Sequence, residues 1–155
     1  MGLLTSLDYS DLLRFLAFNR HGVVLNKTQV NKLLFMCYGF YLSQKGERLF
    51  TESPKAWPYG PVFPTVYKRF GYRNMPVTLS ECQKKAFNSN ELALKICISI
   101  VDKYCYTSAY NLSVWSHQKG SPWYQTVYSD DNPIVWNKEI SDDIIKAYFS
   151  VLNYE

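Results

Sequence analysis

A chain of 155 residues with 47% apolar content can bury one sizeable core, and its length favours a single domain over 1–155. Its formal net charge of +4 comes from basic residues spread along the chain, which gives nucleic-acid binding little footing. No charged-then-apolar leader follows Met1 and no apolar run reaches transmembrane length, so a soluble cytoplasmic protein without a membrane partner is expected.

Ser6 or Asp8 can cap a first helix, whose Tyr9, Leu12, Leu13, Leu16 and Ala17 form one apolar stripe ending near Arg20 and Gly22. Val23 to Leu25 make a short apolar connection, and Asn26 or Thr28 caps the next helix. There Val30, Leu33, Leu34, Cys37, Tyr38 and Tyr41 share a face, while Phe35, Met36 and Phe40 lie off it. A helix apolar on most sides must be wrapped by other elements. It is therefore expected to run through the middle of the fold as far as Gly46, and the expected fold is a mainly α, compact helical domain around it.

Leu49 and Phe50 then have strand character, with Ala56 and Trp57 able to pair with them, so at most a small β-hairpin is expected. Pro54, Pro58, Gly60, Pro61 and Pro64 interleave with Trp57, Tyr59 and Phe63, a pattern that excludes a regular helix or a central strand and predicts a stiff loop. Pro61 or Pro64 can open a short helix through Tyr67 and Phe70, closed by Gly71. Trp57 reads as a core ring, whereas Tyr59 suits either core or surface. Lys68, Arg69 and Arg73 are the nearest thing to a basic patch, and cations also suit a helix C-terminus.

Between Tyr72 and Phe87 the pattern weakens, with Thr78 or Ser80 as a possible cap of a short helix. Asn88 with Glu91 resembles a capping box that opens a long helix. Two periods compete in it, and the helical one through Ala93, Ile96, Cys97, Ile100, Val101 and Tyr104 prevails because the run is long and capped. Thr107 or Ser108 starts a helix to Ser116, ending around His117 and Gly120, and Ser121 with Pro122 starts a turn that buries Trp123. Asp130 to Pro133 carry turn chemistry. The last helix starts at Ser141 with Asp142 and Asp143 in its first turn, Ile140 stapled to Ile145, and Ile144, Tyr148, Phe149 and Leu152 completing its apolar content.

Two blocks carry a family resemblance. The first joins Lys32, Leu33, Leu34 and Phe35 to Ala56, Trp57, Tyr59, Gly60, Pro61, Val62, Pro64, Val66 and Tyr67; the second is Leu112, Ser113, Ser116, His117, Pro122 and Trp123. Together they resemble the Panacea domain, the SocA-like and GepA-like antitoxins of bacteria and their phages. Phe35 and Ser116 stand where that family prefers Tyr and Thr. The resemblance implies an antitoxin that binds a toxin protein directly, with the toxin's gene alongside. It gives Lys32, Leu33, Leu34, Trp57, Gly60, Pro61, His117, Pro122 and Trp123 structural duties.

Chemistry in the residues themselves is sparse. The four cysteines, Cys37, Cys82, Cys97 and Cys105, form no CxxC spacing and read as reduced core residues. With only His21 and His117 beside them there is no zinc spacing, and no phosphate-cradling glycine loop occurs, so no metal or cofactor is expected. A Cys105–His117 nucleophilic pair is formally possible but no motif marks it. His117 reads as a helix-end residue whose ring nitrogens hold main-chain carbonyls or a tyrosine hydroxyl. The expected function is therefore binding, without catalysis, the rivals being an adaptor that delivers a partner to a protease and a nucleic-acid-binding regulator. On the stiff loop Tyr59, Phe63 and Tyr67 are candidate anchors for the toxin, with Lys68 and Arg69 as a basic rim. An architectural role for the same loop, with recognition elsewhere, stays open beside it.

Overall fold

The computed structural model describes residues 3–69, 76–128 and 136–155. Eight helices and three short strands follow in the order α1 (Ser6–His21), α2 (Lys27–Lys45), β1 (Lys55–Trp57), β2 (Gly60–Val62), α3 (Pro64–Arg69), α4 (Glu81–Asn88), α5 (Glu91–Tyr104), α6 (Ala109–Ser116), α7 (Pro122–Val127), β3 (Lys138–Glu139) and α8 (Asp142–Ser150) among the described residues. The fold is mainly α, as expected.

Caps set the helix starts. Thr5, rather than Ser6 or Asp8, caps α1, exchanging bonds with Asp8 in a capping box. Asn26 and Gln29 do the same for α2, and Ser80 and Gln83 for α4. Asn90, not Asn88, caps α5; Asn88 is still inside α4, because Ser80 opens that helix early enough to run through it. Ser108, Ser121 and Ser141 cap α6, α7 and α8.

Every residue of α2 from Val30 to Leu42 is buried. The helix is wrapped by α1, α3, α5, α6, α8 and β2, which accounts for an apolar surface with no single face. From α5 it receives Ala93, Ile96, Cys97, Ile100 and Val101, so the helical period is the one in use there. From α8 it receives Ile145 and Phe149, and the Phe149 ring packs against both Phe35 and Phe40. Leu152 falls beyond α8 and is partly exposed; Tyr154 covers Phe40 in its place.

The sheet departs from the expected hairpin. Leu49 and Phe50 are buried but belong to no strand, and the Phe50 ring lies among Tyr9, Tyr38 and Phe63. β1 pairs instead with β2 on one side and β3 on the other, both antiparallel, with Trp57 opposite Gly60 and Lys55 opposite Glu139. The proline-rich segment thus supplies a central strand. It can do so because Pro54 and Pro58 flank the three strand residues, leaving their N–H groups for the ladder. Phe70, Gly71 and Arg73, and the Asp130 to Pro133 turn, lie outside the described residues.

Candidate partner-binding site

The β1–β2 hairpin is fastened by side chains that reach its main chain. Trp123 Nε1 donates to Trp57 O (2.7 Å), Ser113 Oγ to Tyr59 O (3.3 Å) and Lys32 Nζ to Pro61 O (3.1 Å). Just past β2, Phe63 N donates to Asn31 Oδ1 at 2.9 Å. His117 sets one ring nitrogen 2.8 Å from Pro58 O and the other 2.5 Å from Ser113 O, and a neutral ring donates to one of them at a time. Its ring also lies 3.9 Å from that of Trp123. The two sequence blocks therefore meet in space, the second holding the loop of the first.

Gly60 is required by this closeness. Its φ of 113° lies in the region that favours glycine, and a Cβ there would come within 2.5 Å of Ser116 Oγ and 2.8 Å of Lys32 Cε. Lys32 is only 3% exposed, and burial pushes its pKa down to about 8.

The candidate anchors separate. Tyr59 is 79% exposed and Tyr67 is partly exposed. Phe63 has no exposure at all, because it faces inward from the end of β2 onto Tyr38 and Phe50, and it is not available to a partner. Trp57 is half-buried rather than core; its ring crosses Tyr67 and its Nε1 donates to Asn137 Oδ1 at 2.9 Å. Lys68 and Arg69 are exposed but diverge. Lys68 lines a hollow with Lys55 and Trp136, whereas Arg69 lines another with Asp8, Asp11 and Arg14 of α1.

Tyr59 instead meets α6. With Tyr110, Ser113, Val114 and His117 it lines an apolar cleft of about 740 Å³. Tyr110 is 77% exposed and Val114 is exposed as well. This face was passed over in the sequence reading; the signal that could have found it is the pair Tyr110 and Val114, four residues apart on a short helix that buries only Leu112 and Ser116.

The family model described as Antitoxin SocA-like, Panacea domain matches residues 30–124. The chain belongs to this family. Antitoxin SocA of Caulobacter vibrioides (strain NA1000 / CB15N) is 26% identical over 140 residues, which cover 82% of this chain and 73% of that protein. No solved structure matches the chain. The matched stretch contains the hairpin, the side chains that fasten its carbonyls, and Tyr59, Tyr110, Ser113, Val114 and His117 of the cleft, while Thr28 of the cleft and Asn137 beside Trp57 lie outside it.

Among the described residues other chemistry finds no constellation. Cys105 is buried and His117 is engaged by two carbonyls, and neither bonds the other. Cys37 and Cys97 are buried as expected; Cys82, expected in the core, is exposed on α4, which buries only Phe87. No group of residues that could hold a metal ion occurs among the described residues, and none of their helices is long and apolar enough to cross a membrane.

Proposed function

We propose that this Panacea-domain protein is the antitoxin of a toxin–antitoxin pair, acts in the cytoplasm, and neutralises a cognate toxin protein by direct binding, without catalysis. The observation that carries the reading is the cleft between Tyr59 and Tyr110: two exposed aromatic rings beside an apolar hollow, one on a hairpin whose main chain is already fixed. Flat amphipathic rings that lose little freedom on docking suit protein interfaces. Tyr67 and Lys68 would extend this face on the other side of the hairpin, and Arg69 would contribute least, since it turns toward α1.

Co-expression with the toxin candidate encoded beside its gene tests the reading. The expected outcome is restored growth together with a complex that survives purification. Growth rescue with no complex by purification or crosslinking overturns direct binding. Tyr59→Ala and Tyr110→Ala should each weaken the complex by about 1–2 kcal/mol while leaving the melting temperature unchanged. Unaltered affinity in both places the interface elsewhere.

A further inference from the structure

Lys32 is a buried cation with no counter-charge among the described residues. Among those residues its single hydrogen bond goes to Pro61 O, which leaves two of its three ammonium donors without an acceptor there. Removing a charge from water is costly unless it is paired. The side chain lines a hollow of about 340 Å³ with Thr28, Asn31, Trp57, Tyr59 and Tyr67. Gly60 keeps that hollow open, since a Cβ there would come 3.3 Å from Lys32 Nζ. At the rim Lys27 Nζ sits 4.1 Å from the centre of the Tyr67 ring. Among the described residues no carboxylate lines this hollow, the Tyr110 cleft beside it, or the Lys55–Lys68 hollow beyond Trp57.

We propose that the hollow at Lys32 receives a carboxylate of the partner protein, an aspartate or glutamate side chain that completes the unpaired ammonium when the two surfaces close. This rests on the reading of the partner as a directly bound protein, and it names the chemistry the partner must present. A charge-assisted bond made where both groups leave water is strong and selective. An acidic side chain fits better than a nucleic-acid backbone because the surroundings are aromatic and apolar, with one buried ammonium in place of a row of exposed cations.

The test needs no toxin, so its failure is separate from failure of the antitoxin reading. Amide NMR spectra are recorded during titration with N-acetylglutamate α-amide, its neutral glutamine counterpart, and a short single-stranded oligonucleotide. The glutamate probe is expected to shift Asn31, Gly60 and Tyr67 in a saturable manner, about tenfold more tightly than the glutamine probe. Lys32→Met should abolish the difference. Equal response to both probes, no response at those residues, or an unchanged response in folded Lys32→Met overturns the proposal; tighter binding of the oligonucleotide at the same residues overturns it in favour of nucleic acid. Should Lys32→Met fail to fold, Thr28→Glu supplies a carboxylate from within the hollow. It is expected to block the glutamate probe where Thr28→Gln does not, and equal binding by the two overturns the proposal.

Discussion

Protonation of Lys32 is coupled to folding. Burial lowers its pKa from the ordinary 10.5 to about 8, so between these values the unfolded chain binds the proton that the folded chain has released. Stability contributed by this residue therefore rises with pH from about 8 and is complete near 10.5. Tyr9 and Tyr38, whose pKa values burial raises, oppose it above pH 10, because their unfolded forms ionise first. Denaturation of the parent and Lys32→Met at pH 7, 8, 9 and 10 should show the parent gaining about 2 kcal/mol relative to the variant by pH 10. A constant difference would mean that the ammonium is not buried in solution. Phe63 and Tyr59 are four residues apart and should behave oppositely. Phe63→Ala is expected to cost about 3–5 kcal/mol in denaturant unfolding, and Tyr59→Ala no more than about 0.5 kcal/mol. Sequence alone could not separate them, since both are aromatic residues beside prolines. What separates them is their place about the three-residue strand β2, Tyr59 before it in the turn and Phe63 after it facing Tyr38 and Phe50, and β2 is set by β1, which is itself paired with β3 across 84 residues, Lys55 opposite Glu139.

Among the elements, α2 was the most legible, because a helix apolar on nearly every side has one physical solution, burial on nearly every side. The helical period of α5 was legible for a similar reason, while its start was misplaced because Asn88 and Asn90 both offer a capping side chain. The sheet was the least legible. Strands this short carry almost no alternation, and their pairing depends on β3, which contains only Lys138 and Glu139. One feature of α2 has no sequence pattern behind it: Gly39 stands mid-helix, where glycine costs stability relative to alanine. A Cβ there would lie 2.2 Å from the Phe149 ring, so the glycine admits α8. Gly39→Ala should destabilise by about 1–3 kcal/mol despite its better helix propensity. A stabilised variant in thermal unfolding would show that α8 can shift away without loss.

At the scale of the molecule, both chain ends close on the same helix. α1 and α8 each pack against α2, Ser6 Oγ donates to Glu52 while Thr65 N donates to the other oxygen of that carboxylate, and Tyr38 OH donates to Asp142 at the start of α8 (2.6 Å), which Arg48 also binds (2.7 Å). The stretch matched by the family model, 30–124, omits both outer helices. A fragment of that extent would leave much of α2 in water, and it should show weak near-ultraviolet dichroism and bind hydrophobic dye. The full chain should unfold in one transition seen alike by fluorescence and far-ultraviolet dichroism. A fragment with a sharp transition of its own would show that α1 and α8 are dispensable.

The fasteners of the hairpin grip carbonyls at Trp57, Pro58, Tyr59 and Pro61. A carbonyl is common to all amino acids, so the grip at 59 is indifferent to which residue stands there. Position 59 can then drift through many side chains without disturbing the fold, and under the proposed interface a lineage would trade one toxin for another by changing what the hairpin displays. A library randomised at residue 59 should yield folded protein for nearly every member, with neutralisation of a given toxin confined to few.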